Sequence, residues 1–153
     1  MKYVEAPNRP LGLVGAHSIF LAGGITGCPD WQYKVCRELY NTNWTVLNPR
    51  RADFPIGQPE AAREQIKWEY DMLRLASAKL FWFPCETLCP IVLFELGAWS
   101  MRGGPLFVGV HPDYARRQDV EIQLELARPD VKIVYDLDEL IQQVVDSAPT
   151  LKY

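Results

Sequence analysis

Short apolar runs alternating with helical patterns constrain this chain more than any other feature. Residues 18–22, 44–47, 79–83, 106–110 and 132–135 each form a run short enough for a buried strand. Helical stretches follow them in turn, at 31–40, 60–76, 91–101, 120–127 and 137–146. Such alternation predicts parallel βαβ units, and right-handed crossovers wind those into an α/β three-layer sandwich. The expectation is a five-stranded parallel, doubly wound sheet in the flavodoxin-like order 2-1-3-4-5. That order puts the topological switch between the first and third strands, where loops at the strands' carboxyl ends enclose a ligand crevice.

At 153 residues the chain is expected to be one domain, 1–153. Residues 1–14, with Pro7 and Pro10, form an extended N-terminal segment, and 148–153 form an exposed tail unless something holds them. A net charge of -3 argues against nucleic acid as a partner, since such binders carry a basic face. No apolar run is long enough to cross a membrane. The first residues lack the apolar core of a signal peptide, so a cytoplasmic protein is expected. Cys28, Cys36, Cys85 and Cys89 fit reduced thiols there. Cys85 and Cys89 have a spacing that zinc sites use, but no matching pair accompanies them, and His17 and His111 stand alone. Neither a metal nor a cofactor is expected.

Glu95 is the one charge in Pro90-Ile-Val-Leu-Phe-Glu-Leu-Gly-Ala-Trp99. A helix apolar all round is normally buried. A carboxylate inside it is either paired or kept as a working acid with a tuned pKa. Upstream, the third strand runs into a loop carrying Glu86. Gly23-Gly24-Ile-Thr-Gly27, after the first strand, lets backbone approach a ligand closely but matches no nucleotide-triphosphate or dinucleotide pattern. Asp71 and Glu69 lie two positions apart on the 60–76 helix, so only one can point inward. Asp71 is also within helical reach of Lys67 and Arg74, which offer it an ordinary ion pair. Glu95 and Asp71, with Glu86 or Asp30, gather carboxylates around one crevice. That set suits retaining attack at a sugar anomeric carbon. Trp31, Phe20, Trp82 and Phe83 offer an apolar face for a nucleobase or, equally, core packing. Arg50 and Arg51 offer a phosphate contact or simple surface charge.

Phe20-Leu-Ala-Gly-Gly-Ile-Thr-Gly27, Asp30-Trp31-Gln32, Asn48-Pro49-Arg50, Phe81-Trp-Phe-Pro-Cys-Glu-Thr-Leu-Cys-Pro90 and Phe94-Glu95-Leu-Gly97 occur in that order. Together they resemble the nucleoside 2-deoxyribosyltransferase-like family over residues 18–135. The resemblance implies transfer of a 2-deoxyribosyl group between nucleobases, with Glu95 attacking C1′ to form a covalent glycosyl-enzyme. It implies that Asp71 contacts and helps protonate the base. Gly23, Gly24, Asp30, Trp31, Asn48, Arg50, Phe83 and Glu86 are the expected substrate-binding residues. Tyr153 matches a C-terminal residue with which a neighbouring subunit closes the site, and a homo-oligomer, a dimer or larger, is implied. The implied partners are a nucleoside or nucleotide and a free nucleobase. Two positions depart from the family pattern: Phe20 replaces a tyrosine, and Cys89 replaces an aspartate six residues before the nucleophile. Hydrolysis of the N-glycosidic bond, or nucleotide binding without turnover, are the alternatives.

Overall fold

A computed structural model describes residues 1–11 and 17–148. Its six strands are β1 (Lys2–Glu5), β2 (Ser18–Gly23), β3 (Thr45–Asn48), β4 (Ala78–Phe83), β5 (Leu106–Val110) and β6 (Ile133–Val134). The helices are α1 (Trp31–Glu38), α2 (Pro59–Leu75), α3 (Pro90–Ser100), α4 (Arg117–Ala127) and α5 (Leu137–Asp146). All neighbouring strands pair in parallel, in the order β1-β3-β2-β4-β5-β6. The five strands expected from the apolar runs therefore stand in the expected order 2-1-3-4-5. The sheet has six strands rather than five because β1 adds outside β3, in register Lys2↔Thr45 to Glu5↔Asn48. Its Lys-Tyr-Val-Glu sequence suits a sheet edge, where charge protects against further pairing, and it carries no apolar run to announce it.

Period-two alternation along the strands divides the core between the two faces. Phe20, Ala22, Phe81 and Phe83 face α2, α3 and α4 through Trp68, Met72, Val92, Leu96, Val120 and Leu124. Ile19, Leu21, Leu80 and Trp82 face α1 and α5 through Trp31, Val35, Leu140, Ile141 and Val144. A three-layer α/β sandwich results. Asp30 caps α1, its Oδ1 accepting from the Tyr33 amide at 2.9 Å.

The helix around Glu95 corrects one expectation. α3 buries only Val92, Leu96 and Ser100, a stripe at four-residue spacing. Ile91, Phe94 and Met101 are 64%, 77% and 80% exposed. An all-apolar helix gives no signal of which side faces the sheet, and here one apolar side faces outward.

Candidate active site

Chain reversal at the switch point between β2 and β4 leaves a cleft of about 280 Å³ at the carboxyl edge of the sheet. Phe20, Ala22 and the 23–26 loop form one wall, Pro49 and Glu69 another, and Thr87, Cys89, Pro90, Ile91, Val92 and Glu95 the third.

Gly23 and Gly24 are required by close packing. A Cβ on Gly23 would overlap the Trp31 ring and stand 2.6 Å from the Trp82 carbonyl oxygen. A Cβ on Gly24 would stand 2.6 Å from Cys28 Sγ and 2.9 Å from Pro84. The Gly24 carbonyl accepts from Trp31 Nε1 at 2.9 Å and from Gln32 Nε2 at 3.3 Å, which fixes the loop over the start of α1. Arg50 continues the same framework. Its guanidinium donates to the Pro29 carbonyl at 3.0 Å, to Gln32 Oε1 at 3.2 Å and to the Cys28 carbonyl at 3.1 Å. Asn48 Oδ1 accepts from the Arg50 amide at 3.0 Å, and its Nδ2 donates to the Tyr3 hydroxyl at 3.0 Å. Asn48, Arg50, Asp30 and Trp31 thus build the wall from behind, and none of them lines the cleft. Phe83 is fully buried, its ring 5.2 Å from that of Tyr114. Glu86 is exposed on the loop before α3, outside the lining. Tyr153 lies outside the described residues.

Glu95 does reach the cleft. Burial, and then the charge of Glu69, push its carboxyl up to about 7. Among the described residues no hydrogen bond contributes to that shift, and Phe20, which lines the cleft beside it, has no hydroxyl to offer.

Asp71 is placed elsewhere. Its Oδ2 accepts from Arg9 at 2.7 Å and from Lys67 at 2.8 Å, and these two cations hold its carboxyl below the ordinary range. The acid that α2 sends into the cleft is Glu69. The helix phase explains the exchange: Ala61, Trp68, Met72 and Leu73 are the buried residues of α2, and Glu69 adjoins that stripe while Asp71 points away. Reading the stripe from Trp68 to Met72 would have found it. Burial raises the Glu69 pKa, and a hydrogen bond from Gln65 works against the rise. Gln65 Nε2 donates to Glu69 Oε1 at 2.8 Å and to the Pro49 carbonyl at 2.7 Å.

Cys28 and Cys89 are buried free thiols, and Cys89 enters α3 with φ 47°, the left-handed region. Among the described residues, no group of three His, Cys, Asp or Glu side chains is arranged to hold a metal ion. No helix there is long and apolar enough to cross a membrane.

A parallel α/β sandwich with an acid-lined cleft at its switch point is the architecture of an enzyme or binding protein for small molecules. Residues 16–114 match the family described as nucleoside 2-deoxyribosyltransferase like, and the chain belongs to that family. No curated protein matches it.

Proposed function

We propose that this protein cleaves the N-glycosidic bond of a 2′-deoxynucleoside and passes the sugar to a second nucleobase, through a glycosyl ester on Glu95. The observation that carries the reading is Glu95 itself. It lines the cleft opposite the Gly23–Gly24 loop, with a carboxyl pushed up to about 7. At neutral pH such a group is partly ionised, so a nucleophilic carboxylate is available. Attack on C1′ forms the Glu95 ester and frees the first base. Attack by a second base on the opposite side of C1′ regenerates the carboxylate and restores the configuration.

Water is the acceptor in the second reading, and the shape of the rim favours keeping it. Ile91, in the lining of the cleft, is more than half exposed, so solvent reaches the ester unless something covers it. The outward side of α3 also supports assembly of this chain with copies of itself. The free thiols suit a reducing compartment such as the cytoplasm.

The test is incubation with 2′-deoxyinosine or 2′-deoxyadenosine, with and without adenine or hypoxanthine, following bases by chromatography. Base exchange supports transfer, and free base alone supports hydrolysis. A deoxyribosyl adduct on the intact chain, seen by mass spectrometry, should vanish in Glu95→Ala together with turnover. Full turnover in that variant would sink the reading.

A further inference from the structure

Two buried thiols beside the cleft take no part in attack by Glu95. Cys28 ends the glycine turn that follows β2, and Cys89 enters α3, so each belongs to a loop that forms one wall. A Cβ on Gly24 would stand 2.6 Å from Cys28 Sγ and 3.1 Å from Cys89 Sγ. One point therefore lies against both sulfurs, and they are no farther apart than those two lengths together. Gly24 puts only a hydrogen there, so its own side chain does not separate the thiols.

Each thiol is turned back on its own loop. Cys28 Sγ donates to the Thr26 carbonyl and Cys89 Sγ to the Thr87 carbonyl, both at 3.6 Å. A thiol is a weak donor, so little opposes turning either sulfur away. Thr26 and Thr87 both line the cleft, so movement of these two loops is movement of its walls. Cys89 also holds φ 47°, a left-handed backbone that glycine, asparagine or aspartate accepts more readily than cysteine. The backbone therefore does not account for a thiol at this position, which is one of the two that depart from the family pattern.

We propose that Cys28 and Cys89 form a reversible disulfide, an oxidative modification site that draws the two loops together and shuts the cleft. The oxidant is hydrogen peroxide. One cysteine sulfur attacks a peroxide oxygen, the O–O bond breaks, and a sulfenic acid and one water result. The second sulfur attacks the first, the S–O bond breaks, and another water leaves with the remaining thiol proton. Two electrons pass from the sulfurs to the peroxide. Two thiols of a small-molecule reductant return them and become a disulfide themselves. The new bond is about 2.0 Å long, so both side chains turn off their carbonyls and the 24–28 and 87–89 segments move towards each other. Burial and the charge of Glu86 push the Cys28 thiol up, with Arg50 working against the rise, and burial pushes Cys89 up to about 11. Both stay protonated at neutral pH, so the bond forms slowly and records sustained oxidation rather than a brief pulse. Its effect on turnover rests on the glycosyl-transfer reading above, and the bond itself does not.

The experiment treats the reduced full chain with hydrogen peroxide, blocks the remaining thiols by alkylation and maps a digest by mass spectrometry. The peptides holding Cys28 and Cys89 should be joined, two hydrogens lighter than the separate thiols. Base release from 2′-deoxyinosine should fall about tenfold or more as the bond forms, and dithiothreitol should restore it. In Cys28→Ala, peroxide should leave turnover at that variant's own reduced level. Cys85, exposed on the loop before α3, is the competing partner. A bond from Cys85 to either cysteine, separate oxidation of the two, or an equal loss in Cys28→Ala overturns the pairing. A Cys28–Cys89 bond with undiminished turnover overturns the closure. Amide hydrogen exchange supplies a readout that needs no turnover: residues 24–28 and 88–92 should exchange more slowly in the oxidised chain, and unchanged rates overturn the joining of the two loops. A reduced wild type that is inactive sinks the glycosyl-transfer reading, while the peptide map and the exchange rates still decide the disulfide.

Discussion

Glu95 is costly to keep where it is, and the cost has a defined pH dependence. Its carboxyl holds a proton up to about pH 7 in the folded chain, against about 4.5 when freely solvated. Below that lower value both forms are protonated and the site carries no penalty. Between the two values the unfolded chain ionises first, so stability falls as pH rises, and above 7 the full penalty is present. Glu95→Gln removes the charge and keeps the shape. It should raise the stability at pH 8 by an amount on the order of 1–3 kcal/mol, and the thermal midpoint with it, the difference vanishing near pH 4. Thermal unfolding of both proteins across that range checks it, and a difference independent of pH would contradict the burial. A lone acid in an apolar run advertises itself in sequence, as Glu95 does. Glu69 does not, because Trp68-Glu-Tyr-Asp71 offers two acids and only the helix phase decides between them. Asp71 has Lys67 one turn behind it, and the structure adds Arg9 from the N-terminal segment, 62 residues away in sequence. A long-range partner of that kind has no local signature.

Elements position the chemistry by tight contact more than by flexibility. In sequence, the glycines of the turn leaving β2 read as room for backbone to approach a ligand closely. In the structure the two residues that begin it have no room for a side chain, pressed against Trp31, the Trp82 carbonyl, Cys28 and Pro84. Gly23→Ala therefore forces β2 away from β4 or displaces the Trp31 ring that donates to Gly24. Overpacking at such a place costs about 1–3 kcal/mol. Chemical denaturation should show that loss, and turnover should fall with it because the same turn walls the cleft. Wild-type stability in Gly23→Ala would mean that the turn has slack it does not show. Asp30 and Arg50 belong to the same framework. Their residue types are those of a binding site, but the acid caps α1 and the guanidinium is taken up by carbonyls of the 28–29 segment and by Gln32.

Across the whole molecule, apolar runs were enough to order five strands, since burial on both faces leaves each one a continuous hydrophobic stretch. They were blind to β1, a half-exposed edge strand held by backbone pairing to β3. They also misjudged α3, because an apolar helix at the rim of a sheet and one buried in a core read alike. That misjudgement has a consequence for assembly. Leu88, Ile91, Phe94 and Met101 are all more than half exposed, on or beside the helix that carries Glu95. So many large apolar side chains exposed on and beside one helix are uncommon on a chain that stays alone in water. Covering it with a second copy would bury Phe94 and close the mouth at Ile91, shielding the ester from solvent. Light scattering at micromolar concentration should show a dimer or larger species for the wild type, and Phe94→Glu should shift it towards the monomer. The same substitution, at a side chain that is 77% exposed, should raise free-base release relative to base exchange as water gains access to the ester. If Phe94→Glu leaves both the mass and the partition unchanged, the outward side of α3 is not the covering surface.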